Sequence, residues 1–366
     1  MHALKRFGTA FGGYKMMDNY PVPECGPDDI ILEIKAAAIC GADMKHWGVD
    51  NGYDDTNITP DQQQSVRGHE FAGEIVKVGE NVKDWHIGQR VVSDNSAHVC
   101  GVCPACEQGD FLCCEHKVNL GLDNNTWGGG FSKYCKVPGE ILAIHKHAIW
   151  EIPEGIKYEE ACVLDPICNA YKAVAQQSHL IPGQDVVVFG TGPLGLFSVQ
   201  VAKLMGAVNI VMVGLDDDVK VRFGVAKELG ATHCVNGSKE DVVARCTEIC
   251  GRDNLGLVIE CSGANIALKQ AIEMTRPNAE IVRVGMGFKP LEFSINDITA
   301  WNKSIIGHMA YDSTSWRNCI RLLQSGQIKV QPMITHRLGL SQWQEGFDKM
   351  AKKEAIKVIF HYDYED

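Results

Sequence analysis

The chain has 366 residues, 45% apolar and 22% charged, with 35 Lys and Arg against 46 Asp and Glu for a formal net charge of −11. The length exceeds one typical core and predicts two domains, while the acidic excess, with no basic cluster, argues against nucleic acid and anionic membrane surfaces as partners. No run reaches the roughly 18 apolar residues of a membrane span. The first residues hold no signal-peptide core, and 15 cysteines, an odd number in a long chain, argue against a disulfide framework. A cytoplasmic protein that uses cysteine for metal binding or burial is expected.

Residues 28–38, DDIILEIKAAA, read as a strand. Residues 71–82 alternate apolar with small or polar residues up to a Gly-Glu-Asn turn, and 88–92 read as another short strand. Loops rich in Gly, Asn and Asp occupy 48–64 and 119–130. The first 150 residues are therefore expected to be β-rich, without repeats. From about residue 157 the texture changes, and 158–177 has helical spacing of apolar residues. Strands expected at 186–189, 209–214, 233–236, 256–263 and 279–287 then alternate with helices at 219–231, 241–250 and 264–275. That alternation predicts a parallel, doubly wound α/β sheet. The tail from about residue 305 holds two helices, and its final strand, AIKVIFHYD, is expected to return to the first domain.

Three groups of residues carry chemistry. The first is the stretch 186–207, VVVFGTGPLGLFSVQVAKLMGA, in which an apolar strand runs into Gly190, Gly192, Pro193, Leu194 and Gly195 and then a helix. Gly190 permits a tight turn, Gly192 lets backbone N–H groups approach a pyrophosphate, and Gly195 lets the helix pack on the strand. The helix N-terminus would face the phosphates with its partial positive charge. An ordinary tight turn is the competing reading.

The second group is CGVCPACEQGDFLCC, with Cys100, Cys103, Cys106, Cys113 and Cys114. Two CxxC steps and a further thiol suit four thiolates around a tetrahedral zinc, and a site without a vacancy is structural. Spacing leaves Cys113 and Cys114 open. A redox CxxC would open a helix in a small βαβ domain and needs no third step.

The third group is dispersed: Cys40 after a strand, His69 and Glu70 before one, and Asp165 near the domain boundary. A thiolate, an imidazole and a carboxylate, with water in the fourth position, would make a catalytic zinc. No compact spacing links them, so burial and ordinary hydrogen bonding compete with that reading.

GHE followed by FAGEIVKVGENV, then GQRVV, the cysteine lobe and the glycine turn is the order seen in zinc-dependent medium-chain alcohol dehydrogenases, which the chain resembles over nearly its whole length. The resemblance implies a GroES-like catalytic domain over 1–166 with a structural zinc lobe at 95–116, a Rossmann-type dinucleotide domain over 167–304, and a return to the catalytic domain over 305–366. It implies that Cys40 and His69 bind the catalytic zinc, that Glu70 is an exchanging or alternative ligand, and that Cys114 rather than Cys113 completes the lobe. The segment LDPICNAYKAV resembles threonine dehydrogenases, whereas polyol dehydrogenases carry Glu-Pro there; in both, a carboxylate, here Asp165, replaces the cysteine of simple alcohol dehydrogenases. A helix cap is the competing role for Asp165.

Family members usually carry Ser or Thr two residues after the zinc cysteine, where the hydroxyl relays the substrate proton. Here the position is Ala42, which has neither donor nor acceptor. The relay is expected to use water, a neighbouring substrate hydroxyl, Lys45 or His46, and His46 is the candidate because of its suitable pKa. Gly214 stands where the ribose-binding acid usually does, followed by Leu215, Asp216, Asp217 and Asp218. Three aspartates repel a 2′-phosphate, so NAD is expected rather than NADP, with Asp216 or Asp217 on the ribose and the remainder a solvated acidic loop. Val284, Gly285 and Met286 resemble the strand end beside the nicotinamide.

The expected activity is oxidation of a secondary alcohol of a polyol, cyclitol or sugar derivative to a ketone by a homo-oligomer, dimer or tetramer. Threonine 3-dehydrogenase is the enzyme alternative, and a dinucleotide-binding protein without turnover is the alternative from another class. A quinone oxidoreductase of the superfamily lacks both zinc sites and fits poorly.

Overall fold

The computed structural model describes residues 1–6, 13–44, 47, 65–123, 127–287 and 289–365. They form two compact units, Met1–Asp165 with Ile334–Asp366, and Pro166–Met333. No helix among the described residues is long and apolar enough to cross a membrane.

The first unit is β-rich. Its strands are β1 (Ala3–Arg6), β2 (Tyr14–Met17), β3 (Ile30–Ala38), β4 (Glu70–Val78), β5 (Arg90–Ser93), β6 (Ser96–His98), β7 (Val118–Asn119), β8 (Tyr134–Val137) and β9 (Ile149–Glu151). The long strands β3 and β4 pair antiparallel, with Ile30 opposite Val78 and Ala38 opposite Glu70. This register puts the C-terminal end of β3 beside the start of β4. β3 is buried along almost its whole length, as suits a strand covered on both faces.

The second unit alternates strand and helix. Its strands are β10 (Val186–Phe189), β11 (Ile210–Gly214), β12 (His233–Asn236), β13 (Leu257–Glu260), β14 (Glu280–Arg283) and β15 (Ser304–Gly307). They form a parallel sheet in the order β12-β11-β10-β13-β14-β15. This is the doubly wound order, with its switch point between β10 and β13. β10 is buried at every residue, because helices cover both faces.

The chain then re-enters the first unit with β16 (Ile334–Gly339) and β17 (Lys357–His361). β17 pairs antiparallel with β3, Ile359 opposite Ala38, completing a sheet ordered β16-β17-β3-β4-β5-β9 with β8 on β3. The return expected at residue 305 therefore needs correction. β15 is the sixth strand of the dinucleotide sheet, and the helix Ser313–Gln324 follows it within the second unit, so the crossing comes at Ile334. β15 carries only four residues, too few to show a period in the sequence.

Candidate active site

Cys40 follows β3 and His69 precedes β4, so antiparallel pairing across Ala38 and Glu70 brings them together. The ligand atoms of Cys40, His69 and Glu70 all lie within 4.8 Å of one another. His69 and Glu70 are buried and Cys40 partly so. Glu70 Oε1 is buried with no hydrogen-bond partner among the described residues. An unpaired buried carboxylate oxygen is costly, and a cation satisfies it. The donor set of soft thiolate, imidazole and carboxylate is one that zinc takes, so the residues fit the metal.

The surroundings hold these groups in place. Asp43, fully buried, accepts from the Cys40 backbone N–H at 3.0 Å and lies 4.0 Å from His69 Nδ1 and 3.6 Å from Arg67 Nε. Lys357 on β17 is buried, donates to Ile39 O at 3.0 Å and pairs with Glu70 Oε2. Burial pushes the Glu70 carboxyl well above its ordinary range, and the Lys357 ammonium opposes that push. Burial likewise raises the Cys40 thiol, again opposed by Lys357. Asp165 is not within the 4.8 Å group, yet it is near enough for its charge to act on both Cys40 and Glu70. It is 9% exposed, and its Oδ2 accepts from Asn95 Nδ2 at 3.1 Å. Ala42 sits in the short helical turn Gly41–Met44 after Cys40. Lys45, His46 and the polar loop 48–64 lie outside the described residues.

The second cluster is Cys100, Cys103, Cys106 and Cys114, again with all ligand atoms within 4.8 Å. Cys100 Sγ lies 3.6 Å from Cys114 Sγ and 4.0 Å from Cys106 Sγ. Corners of a tetrahedron with zinc–sulfur bonds of about 2.3 Å are about 3.8 Å apart, so the four thiols fit one zinc. The Val102 backbone N–H pulls the Cys100 thiol down to about 7, favouring the thiolate a metal needs. Cys113 is exposed and outside the cluster, because it ends the turn Phe111–Cys113 while Cys114 is buried behind it.

In the second unit Gly190 and Gly195 are sterically required. Gly190 has φ +94°, and a Cβ there would lie 3.0 Å from Ser262 N. That facing loop is pinned by Glu260 Oε1, which accepts from the backbone N–H of Ser262 at 2.7 Å and of Gly263 at 2.9 Å. A Cβ on Gly195 would come within 1.8 Å of Gly190 O, so only glycine lets the helix approach the turn. Gly192 caps the helix Pro193–Leu204 with open space beside it, and Pro193 and Leu194 are its first two residues. Free N–H groups at that end can take a phosphate. Val284 is buried, Gly285 packs against Gly263, and Met286 is 61% exposed.

The strand end at Gly214 has no room for an acid: a Cβ would meet Thr191 Cγ2 at 2.6 Å and Phe223 Cε1 at 2.7 Å. Asp216 is half-exposed, accepts from Asn236 Nδ2 at 2.7 Å and lies 3.2 Å from Lys239 Nζ. Those two contacts, Asn236 first, hold its carboxyl below the ordinary range. Asp217 is exposed. Asp218 is not part of a solvated loop as expected. It is buried, accepts from the Leu215 backbone N–H at 2.8 Å and pairs with Arg222 at 3.3 Å.

Residues 26–147 match the alcohol dehydrogenase GroES-like domain, and 193–325 match the zinc-binding dehydrogenase domain. The uncharacterized zinc-type alcohol dehydrogenase-like protein YdjL of Escherichia coli (strain K12) is 77% identical over 366 residues, 100% of both chains. The chain belongs to the zinc-dependent medium-chain alcohol dehydrogenase family. It is an enzyme of alcohol oxidation, with a GroES-like and a Rossmann-type α/β arrangement. D-arabitol-phosphate dehydrogenase of Enterococcus avium is 30% identical over 97% of this chain and 96% of its own, and L-threonine 3-dehydrogenase of Rhizobium rhizogenes 31% over 94% of each. Among solved structures, 2R,3R-butanediol dehydrogenase of Bacillus subtilis superimposes with a TM-score of 0.83 at 29% identity over 99% of both chains. A zinc-binding dehydrogenase candidate of Sinorhizobium meliloti 1021 bound to NADP gives 0.83 at 27% over 98% of both. An alcohol dehydrogenase of Escherichia coli CFT073 complexed with NADH gives 0.84 at 26% over 99% of both.

Four residues around the candidate metal ligands carry no mark in the sequence reading above: Asp43, Arg67, Asn95 and Lys357. Asp43 and Arg67 lie three residues after Cys40 and two before His69, so charge placed beside candidate ligands was a signal available in the sequence. Lys357 is 287 residues from Glu70, and Asn95 is 70 from Asp165; no local pattern marks either.

Proposed function

We propose that this dehydrogenase oxidises a secondary alcohol of a polyol, cyclitol or sugar derivative to the ketone, with NAD as the hydride acceptor. The observation that carries the reading is the convergence of Cys40, His69 and Glu70, with Asp165 beside them. In this reading Cys40, His69 and Asp165 hold the catalytic zinc, Glu70 is the exchanging ligand, and Cys100, Cys103, Cys106 and Cys114 hold a structural zinc. When bound, the catalytic metal supplies a Lewis acid for the substrate oxygen and the nicotinamide supplies the hydride acceptor.

The chain's own residues do the rest. Gly190 makes the turn and Pro193 opens the helix, while Gly192, Leu194 and Gly195 present backbone N–H groups to the pyrophosphate, and Val284, Gly285 and Met286 border the nicotinamide. Asp216, kept ionised by Asn236 and Lys239, or its neighbour Asp217, accepts from the ribose hydroxyls and disfavours a 2′-phosphate. His46 takes the substrate proton in place of the hydroxyl missing at Ala42. The butanediol named for one relative carries two hydroxyls and the arabitol phosphate of another more, which supports a polyhydroxylated substrate.

The test is a dinucleotide-reduction screen, with NAD and NADP in parallel, over polyols, polyol phosphates, inositols, sugar acids and threonine in metal-replete protein. Turnover of a polyol-type substrate with NAD and two zincs per chain are expected. Failure with every class would refute the reading, and full rate and pH profile in His46→Gln would remove His46 from it. L-threonine 3-dehydrogenase is the second reading, favoured by the segment 164–170 and by the 31% identical relative. NAD reduction with threonine alone would select it.

A further inference from the structure

Five non-glycine residues among those described have positive φ: Asn95, Asn278, Asn302, Ala310 and Lys353. Only Asn95, at φ +61°, is buried, with 4% of its surface exposed. Residues with a Cβ enter this region at a cost, and asparagine at less cost than most. The conformation is held from all sides. The Asn95 N–H donates to Ser93 Oγ at 2.9 Å, and its carbonyl accepts from the Leu120 N–H at 2.7 Å. Ser93 Oγ in turn donates to Ala148 O at 3.2 Å. On the other side Asp94 accepts from the Ser96 N–H at 2.9 Å and pairs with the buried His145 at 2.6 Å.

This bracket aims the Asn95 carboxamide at Asp165, where Nδ2 donates to Oδ2 at 3.1 Å. We propose that Asn95 is a positioning residue, whose carboxamide engages one oxygen of Asp165 and so sets how that carboxylate is presented to the metal at Cys40 and His69. The inference rests on the reading of Asp165 as a zinc ligand. The choice of side chain is chemically specific. A lysine or arginine would neutralise the carboxylate and compete with the cation, whereas a neutral amide donor orients it and leaves its charge. Glycine tolerates the backbone conformation but has no donor, and aspartate tolerates it but offers only acceptors. Asparagine meets both requirements. Partners of this kind fix ligand orientation and typically change metal affinity by 10- to 100-fold when removed.

The experiment compares wild type, Asn95→Gly, Asn95→Asp and Asp165→Asn in the full-length protein. Zinc retention is measured by chelator competition, with the four-cysteine zinc as internal reference, and the absorption bands of cobalt placed in the catalytic site report ligand geometry. Asn95→Gly is expected to hold the catalytic metal at least tenfold more weakly, with shifted cobalt bands, and Asn95→Asp more weakly still, because two carboxylates then face each other. A purely backbone role predicts the opposite, since glycine and aspartate both accept the left-handed conformation. If Asp165→Asn loosens the metal while Asn95→Gly stays within twofold of wild type with an unchanged cobalt spectrum, the positioning role is overturned. If Asp165→Asn itself leaves affinity and spectrum unchanged, the ligand reading fails and the positioning role falls with it.

Discussion

His308 makes the second unit acid-sensitive in a way that can be calculated and tested. It follows β15, with Nδ1 2.6 Å from Gln177 Oε1 and Nε2 3.3 Å from Asn169 Oδ1. Burial first, and then the neighbouring Lys172 ammonium, lower its pKa from 6.5 to about 4. The folded imidazole is therefore neutral at pH 7, while the unfolded one gains a proton near 6.5. Between those values the unfolded state binds more protons, so stability is fully present above 6.5 and is lost as the pH falls toward 4. The full difference is about 3 kcal/mol, of which about 2 kcal/mol is lost between pH 7 and pH 5. For a unit of this size that lowers the Tm by about 4–8 °C.

The perturbation is His308→Gln, which keeps a polar group between the two amides. Urea unfolding of both proteins at pH 7, 6 and 5 gives the difference of differences, in which every other titrating group cancels. Wild type is expected to lose about 2 kcal/mol more than the variant over that range. Parallel stability profiles for the two proteins would refute the assignment of a depressed pKa to His308.

Three further outcomes are expected. Gly195→Ala forces a methyl against Gly190 O, 1.8 Å from the ideal Cβ, so it should cost about 1–3 kcal/mol and weaken dinucleotide binding measured by fluorescence titration; unchanged affinity and stability would contradict the close approach. Cys106→Ser should remove one zinc per chain by metal analysis and lower the Tm, and retention of the wild-type metal content would show that the thiols do not share an ion. Lys357→Met leaves buried Glu70 without its cation and should cost about 3–5 kcal/mol by chemical denaturation, most of it recovered in the Lys357→Met, Glu70→Gln double variant; a double variant no more stable than the single would contradict their pairing.

The sequence by itself determined what is local. The glycine turn is a strand, a turn and a helix in 22 consecutive residues, 186–207, in which Gly195 answers a clash within the unit and Gly190 one with the loop beside it, while Gly192 leaves open space. The cysteine lobe is also local, because loops a few residues long decide whether four sulfurs can meet. The alternating strands and helices after residue 186 carry their own periods, so the doubly wound sheet is legible in the sequence.

Only the tertiary structure decided the rest, and the reason is pairing at a distance. Cys40 and His69 share no ligand spacing; the antiparallel register of β3 and β4, Ala38 against Glu70, is what makes them neighbours. Lys357 reaches Glu70 because β17 returns from the end of the chain to pair with β3. Asn95 reaches Asp165 because a buried left-handed residue is held in place by hydrogen bonds from both sides. Gly214 read as a missing acid, and only packing against Thr191 and Phe223 explained why no larger side chain stands there. A residue's type and its near neighbours fix what chemistry it can do, whereas strand register and the return of distant segments fix which residues do it together.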